Sequence, residues 1–439
     1  MSAAHLRPGT SLPNQREWFG TLLALMLLAV ALRGAVGWAL AQELDRDPDS
    51  YRLIANNLAE RGIYSTAPPD EIAHPTAYRP PLYPLVLAGC SLGKTVSNRT
   101  VGFLHLLMGI TTVGLTWFLG RRWGLSRGAL LAAVLVLCDP LLLYQSSLLM
   151  SETLATCLVT IGLVALTRVS QTHTWQSAAA AGALLALSAL CRPALLVWFM
   201  FSAAALWILP IPRRQKCTTI AAFGLCGALV LSPWVIRNAL QFKRPIVTTT
   251  HGGYTLHLAN NTSFYRHLQV APWGEVWDAS RLPETIDQPG HPTGLDAPGT
   301  ELDRDRRHYQ SALSTIRAAP RVFAWSCLVR IGRFWRLAPH QTAAEESRRQ
   351  RWLRHGIGVW YTVLFGFAAG GIWKLRSVFW RSPWIWGVLA IAALTAVHAL
   401  YWSNLRMRAP VTPFLCLLAA LGATADRLLM NECKVFAGK

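Results

Sequence analysis

The chain is poor in charge. Only 15% of its 439 residues are Asp, Glu, Lys or Arg, against about 25% in soluble domains. Acidic residues are the scarcer kind, 22 against 42 Lys and Arg. No Cys-x-x-Cys pair occurs, and seven of the nine cysteines (Cys90, Cys138, Cys157, Cys191, Cys226, Cys327 and Cys416) lie in apolar runs. They read as small hydrophobes rather than a disulfide framework or a zinc site. There is no Gly-rich phosphate loop, no internal repeat of fixed period and no low-complexity tract. These absences exclude a soluble globular enzyme, a metal-finger module and a P-loop nucleotide enzyme.

What fills the chain is apolar sequence, 52% of residues. A bilayer core roughly 30 Å thick needs about 20 mainly apolar residues to cross it. The expected fold is an all-α polytopic membrane protein with about ten transmembrane helices. The runs are Phe19 to Leu40, Val101 to Leu119, Gly128 to Gln145, Leu149 to Leu166 and Trp175 to Leu190. They continue with Ala194 to Leu209, Thr218 to Ile236, Gly356 to Trp373, Trp384 to Trp402 and Pro410 to Leu429. Pro81 to Leu92 is too short to span and reads as a surface helix. The first run is too long for a signal-peptide core and reads as retained, with Arg33 snorkelling from its outer end.

Lys and Arg in short loops set orientation. Arg121, Arg122, Arg127, Arg168, Arg213, Arg214, Lys216, Lys374, Arg376 and Arg381 share one side with Arg7, Arg16, Lys434 and Lys439, and that side is the cytoplasm. The expected organisation is an N-terminal transmembrane module over 1–236 that includes a first outer loop at 41–100. An extracytoplasmic segment follows at 237–353, and C-terminal transmembrane helices at 354–439. The net charge of +20 fits anionic lipid headgroups flanking the spans, so membrane lipids and not nucleic acid are the expected partners.

The polar information gathers at the outer ends of helices. In the first loop, Tyr51, Ile54, Ala55 and Leu58 follow helical spacing against Arg52, Asn56, Asn57 and Glu60, an amphipathic helix that Gly62 ends. Ahead of it stands Asp47-Pro48-Asp49-Ser50-Tyr51. Asp47 reads either as a helix N-cap, with Pro48 at the first helical position, or as a general base at the membrane surface. Tyr78-Arg79-Pro80-Pro81-Leu82-Tyr83-Pro84 fixes a guanidinium in a rigid turn, for a headgroup or a substrate phosphate. Ser151-Glu152 puts a carboxylate near the top of a span, which is costly unless paired or wet. Pro233-Trp234-Val235-Ile236-Arg237-Asn238 closes another span. A last pattern runs from His398 to Tyr401 and on to Asn404, Arg406, Met407, Arg408 and Pro410. Its two arginines oppose the positive-inside tendency, and an anionic ligand is one reason. In the long outer segment, 272–305 is rich in Pro, Gly and Asp and reads as irregular, and Arg321 to Arg336 as a basic interfacial helix.

Taken together and in this order, the motifs resemble the GT-C superfamily of membrane glycosyltransferases. The nearest likeness is its family 39 branch of protein O-mannosyltransferases and lipid A aminoarabinose transferases. The resemblance covers nearly the whole chain, most strongly from Phe19 to Asn261 and from His398 to Ala420. It implies Asp47 at the catalytic acidic position four before the tyrosine, and Glu152 at a second acidic position. It implies Arg79, with Arg406 and Arg408, at the donor phosphate. Asp49, Tyr51, Tyr78, Tyr83, Arg237 and Asn238 are candidate site-lining residues. Met407 stands where many relatives have tyrosine, so a hydroxyl contact there does not carry over.

The implied activity moves a monosaccharide from a polyprenyl-phosphate donor to a hydroxyl or phosphate of a lipid, glycan or protein acceptor, with inversion. It would act on the outer face of a bacterial inner (plasma) membrane. No cofactor or metal site is read from the sequence; assistance by a divalent metal stays open. A lipid-linked glycan polymerase or ligase, or a secondary transporter or flippase, is the alternative. A transporter would need polar groups at the bilayer midplane.

Orientation is directly testable. In a cysteine-free background, single cysteines at 79 and 261 are expected to react with an impermeant thiol reagent in intact cells, and those at 213 and 381 only after lysis. Labelling of position 213 from outside reverses the orientation.

Overall fold

The computed structural model describes residues 15–272, 275–277, 298–341 and 346–425. Arg7, Lys434, Lys439, the end of the last apolar run and much of the Pro/Gly/Asp-rich segment lie outside the described residues. All regular structure among the described residues is helical. The helices are α1 (Gln15–Ala39), α2 (Tyr51–Arg61), α3 (Leu82–Ser91), α4 (Asn98–Arg122), α5 (Gly128–Cys138), α6 (Pro140–Gln145), α7 (Glu152–Thr172), α8 (Trp175–Cys191) and α9 (Leu195–Ala205). Then come α10 (Arg213–Phe242), α11 (Gly252–Ala259), α12 (Thr262–Val270), α13 (Pro298–Ala318), α14 (Pro320–Phe334), α15 (Arg348–Leu375), α16 (Trp384–Leu400) and α17 (Thr412–Ala423). A 3₁₀ segment, Leu405–Val411, leads into α17.

Each of the ten expected runs falls on helix. Six helical segments are long and apolar enough to cross a membrane: Phe19–Ala39, Asn98–Arg122, Glu152–Thr172, Arg213–Phe242, Arg348–Leu375 and Leu405–Ala423. Gly128–Cys138, Trp175–Cys191, Leu195–Ile208 and Trp384–Leu400 are apolar but shorter. α7 and the Leu405–Ala423 segment are largely buried, whereas α1, α10 and α15 show most of their apolar surface to the outside. A bilayer supplies no hydrophobic force between helices, so close approach at small residues does the packing. Where α15 crosses α17, a Cβ on Gly371 would collide with the Leu418 carbonyl, and one on Gly422 with the Phe367 carbonyl.

Local chemistry corrects several expectations. The run from Gly128 to Gln145 is two helices. Pro140 has no N–H to continue α5, and Asp139 caps α6 by accepting from Leu142 N–H at 2.9 Å. Asp139 also accepts from the Tyr361 hydroxyl at 2.9 Å. Arg33 does not snorkel. It is buried against Gly109 and donates to the Val136 carbonyl, 3.3 Å away. The helix after the first run starts at Tyr51, not Pro48, because Ser50 is left-handed (φ 59°) and breaks the helical path. Asn57, assigned above to the polar face of that helix, is buried and donates to the carbonyls of Ser65 (3.0 Å) and Ala67 (2.8 Å). One arginine of the basic helix α14 turns inward. Arg330 is fully buried and clamps the carbonyls of Ala399 and Ala259, both at 2.6 Å.

The Pro/Gly/Asp-rich segment is not irregular to its end: α13 begins at Pro298 and fastens two loops together. Glu301 accepts from the Thr76 hydroxyl (2.9 Å), from Ala77 N–H (3.1 Å) and from the Thr250 hydroxyl. Asp305 accepts from Gly253 N–H at 2.7 Å. The two loops also bond directly, Thr250 N–H to the Ala77 carbonyl at 3.0 Å. Burial pushes the Asp305 carboxyl up to about 6; the Gly253 N–H opposes this, and the charge of Glu301 adds to it.

Two tests follow from this packing. Gly371→Leu is expected to force α15 from α17 and lower stability by about 1–3 kcal/mol, the usual cost of overpacking, read as a fall in thermal midpoint in detergent. A wild-type midpoint in that variant would mean the crossing is looser than described. Asp305 binds its proton more tightly folded than unfolded, so its contribution to stability falls as pH rises through the window from about 3.8 to about 6. Thermal midpoints measured from pH 7 down to 5 should therefore gain stability in the wild type relative to Asp305→Asn. Parallel curves would refute a buried, loop-fastening Asp305.

Candidate active site

One cavity of about 650 Å³ collects residues from most of the motifs read in the sequence. Its walls come from the start of α2, the turn before α3, the start of α7, the α8–α9 junction, α11 and the end of α16 with the 3₁₀ segment. The polar groups among them include Asp49, Tyr51, Tyr78, Arg79, Ser151, Glu152, Arg192, His251, Tyr254, Tyr309, His398, Tyr401 and Arg406.

Two carboxylates and three guanidiniums organise this wall. Arg79 bonds the Asp49 carboxylate at 2.7 Å through one terminal nitrogen and the Asp49 carbonyl at 3.0 Å through Nε. Its cation also lies over the Tyr78 ring, 4.5 Å from the centroid. Proline supplies the rigidity expected of this turn: Pro80 and Pro81 precede α3, and the Tyr64 hydroxyl donates to the Arg79 carbonyl at 3.0 Å. Glu152 is only 2% exposed and opens α7, where the helix N-terminus favours negative charge. Arg192 approaches it at 3.3 Å and Arg406 at 3.5 Å. Arg192 Nη1 and Arg406 Nε are buried and make no aligned hydrogen bond there. Their remaining polar approaches are to thioethers, Met407 for Arg192 and Met150 for Arg406, each at 2.8 Å. The Tyr51 hydroxyl, two residues along from Asp49, donates to Oγ of Ser151, the neighbour of Glu152, at 3.4 Å.

Electrostatics separate the remaining wall groups. Burial pushes the Tyr51 phenol up to about 12, so it stays a hydrogen-bond donor at neutral pH. Burial, and then the positive charge of Arg79 and the neighbouring His308, hold His251 down at about 3, so its ring is neutral. His398 donates from Nδ1 to the Trp402 carbonyl at 3.0 Å, and its buried Nε2 has no partner.

Several predicted site residues do not reach the cavity. Both oxygens of Asp47 are engaged at the N-terminus of α2, accepting from the N–H groups of Tyr51 (2.8 Å), Arg52 (2.9 Å) and Leu53 (3.1 Å). Asp47 therefore caps that helix, but from three residues before its N-cap, Ser50, and not as the N-cap itself. Burial raises its carboxyl above the ordinary range although those N–H groups pull the other way. Tyr83 is fully buried behind the wall, bonded to His105 at 2.8 Å and edge-on to Tyr51. Arg237 donates to the Thr76 carbonyl at 2.7 Å and to Asn238 Oδ1 at 2.8 Å, while Asn238 donates to the Ile246 carbonyl at 3.0 Å. These two support the Arg79 loop from behind. Arg408 is fully buried, lies 4.0 Å from the Tyr361 ring centroid, and donates to the Phe334 and Arg336 carbonyls.

The sequence motifs did not single out Arg192 or Tyr309. Arg192-Pro193 at the end of an apolar run repeats the Arg79-Pro80 pattern, and that was the available signal. Tyr309 reaches the wall from α13, a helix of mean composition too polar to point inward. Among the described residues no group of three or more His, Cys, Asp or Glu is placed to hold a metal ion.

The sequence family described as Dolichyl-phosphate-mannose-protein mannosyltransferase matches residues 78–236, rather more than a third of the chain. No curated protein matches. Among solved structures, the archaeal oligosaccharyltransferase AglB from Archaeoglobus fulgidus, in complex with an inhibitory peptide and a dolichol-phosphate, superposes with a TM-score of 0.51 at 15% identity. That match covers 96% of this chain and 54% of the other, so the chain spans about half the length of the archaeal enzyme. ArnT from Cupriavidus metallidurans, bound to undecaprenyl phosphate, gives a TM-score of 0.43 at 14% identity, covering 93% of this chain and 77% of that one. The chain is thus similar to the mannosyltransferase family over residues 78–236 and shares a helical fold with the archaeal oligosaccharyltransferase.

Proposed function

We propose that the chain transfers a monosaccharide from a polyprenyl-phosphate donor to a hydroxyl acceptor at the outer face of the membrane. The observation that carries this reading is the cavity wall itself. Three guanidiniums meet two carboxylates at the ends of apolar helices, and two of the guanidiniums keep N–H groups without an aligned acceptor. Such a wall suits an anion whose tail lies in lipid. Guanidinium binds phosphate through paired, charge-assisted hydrogen bonds that strengthen where water is excluded. The dolichol-phosphate in the archaeal relative and the name of the matching family support the same ligand class.

In this mechanism the donor phosphate displaces Asp49 from Arg79 and is held by Arg79, Arg192 and Arg406. The freed Asp49 carboxylate takes the proton of the acceptor hydroxyl. The acceptor oxygen attacks the anomeric carbon, the bond from that carbon to the phosphate oxygen breaks, and the guanidiniums take up the charge that develops on the leaving phosphate. Attack opposite the leaving group inverts the linkage. Glu152, held between two cations and almost wholly buried, keeps those cations in place. Asp47, which the family pattern implies as the base, acts here by fixing the start of α2, since its oxygens are already occupied.

The assay is transfer from a defined polyprenyl-phosphate sugar by purified protein, with the matching nucleotide sugar as control. Asp49→Asn is expected to lower kcat by about 10²–10⁴, the usual range for a general base. Asp47→Asn should keep most of the rate and lose thermal stability. Arg79→Lys should retain partial activity, having the charge without the fork, and Arg79→Ala should lose donor affinity and rate together. Turnover with the nucleotide sugar alone would refute the donor class. Full activity in Asp49→Asn with none in Asp47→Asn would return the base to Asp47.

A further inference from the structure

Outside the cavity, the same end of the bundle carries a second basic cluster. Between residues 320 and 355 the sequence holds eight arginines against two glutamates. Arg330 and Arg333 lie in the last turns of α14, and Arg336 just follows its end. Arg330 is satisfied by two carbonyls, whereas its two neighbours bond no backbone carbonyl or carboxylate among the described residues. Arg333 is half-buried against the rings of Phe264 (5.2 Å) and Trp402 (5.7 Å), which touch each other on one side of it, and has no hydrogen-bond acceptor among the described residues. Arg336 donates to the His340 ring and has no acidic partner among the described residues. The acidic side chain described nearby, Glu346, is already held by two nitrogens of Arg354 at 3.0 Å. Burial and the like charges of Arg330 and Arg336 hold Arg333 down at about 10. Burial and then Arg336 and Arg333 hold His340 down at about 4, so it gives no negative charge and little positive charge at neutral pH.

The position of the cluster follows from two sets of contacts. At the far end of α15, Lys374 bonds the carbonyls that close α17. Arg408, over the Tyr361 ring of α15, bonds the carbonyls of Phe334 and Arg336 at the end of α14, two residues along from cavity-lining Arg406. The cluster therefore shares the cavity's end of the bundle. Exposed Trp352 and Leu353 on α15 and Leu328 on α14 stand among these arginines. Aromatic and aliphatic side chains interleaved with arginine at a helix end match the level of lipid headgroups.

We propose that Arg333 and Arg336 form a binding site for the phosphate of an anionic phospholipid headgroup, with the exposed arginines of the first turns of α15 (Arg348, Arg349 and Arg351) as its approach. The site would hold a lipid beside the cavity and outside it. The anion supplies the opposite charge that neither guanidinium has among the described residues, and the rings of Phe264 and Trp402 brace Arg333 from one side. This assignment does not depend on the transfer reaction.

The test uses the full chain in nanodiscs of equimolar phosphatidylglycerol and phosphatidylcholine, released and weighed by native mass spectrometry. Wild type is expected to retain phosphatidylglycerol roughly fivefold or more over phosphatidylcholine. The pair Arg333→Gln and Arg336→Gln should bring that ratio near one at unchanged secondary structure, while Arg333→Lys should sit between. Should the pair fail to fold, Arg333→Gln alone is read the same way. Equal retention of the two lipids by wild type, or an unchanged ratio in the glutamine variants, overturns the site. So does displacement of the lipid by millimolar inorganic phosphate, which would assign it to a free anion.

Discussion

A single buried carboxylate holds the site together. Glu152 opens α7, Arg192 closes α8, and Arg406 belongs to the segment that leads into α17. Each is expensive to bury alone, and removing one partner of a buried pair costs on the order of 3–5 kcal/mol. The three therefore fix one another and set the distance between three helix ends. Everything else on the wall is arranged about that point: Ser151 beside Glu152 meets Tyr51, and Tyr51 begins the helix whose preceding turn presents Asp49 to Arg79.

The same economy appears wherever a cation enters an apolar region. Arg237, Arg330, Arg408 and Lys374 each bond backbone carbonyls. In lipid or in a dry interior such carbonyls have no water to turn to, so a long cationic side chain becomes a mobile C-cap. Part of the large positive charge is thus internal and structural, and part remains for headgroups and for the cavity. Net charge alone does not separate the two uses.

How much of this was legible follows from what each signal measures. Apolar runs located every span candidate, because a bilayer demands length and composition. They could not place the break at Asp139-Pro140, where hydropathy continues across a turn that only proline and a capping carboxylate reveal. Motifs at helix ends pointed to Asp49, Arg79, Glu152 and Arg406, all of which line one cavity. The same reasoning assigned Arg408 and Arg237 to the site, since sequence gives a residue's position on the chain and not the direction its side chain takes. Arg408 is two residues from Arg406 and turns to the opposite side. Asp47 was read correctly as a helix-capping residue and misplaced by three positions, because the left-handed Ser50 delays the helix. The fastening of two loops by Glu301 and Asp305 had no local signal. It joins residues more than 220 positions apart, and no spacing rule reaches that far.

The loop fastening also bears on the order in which the protein comes into being. Arg79 emerges from the ribosome early, Glu301 long after it, and Arg406 near the end. At about 5–20 residues per second, roughly half a minute separates the first of these from the last. Through that interval the loop before α3 has its arginine but not the helix that pins it, and Glu152 has one cation but not the second. No nascent chain possesses a complete wall until the segment that carries Arg406 has been made. A translation product that stops before it would carry every early motif and still leave the wall open on that side, so the wall is closed in one late step.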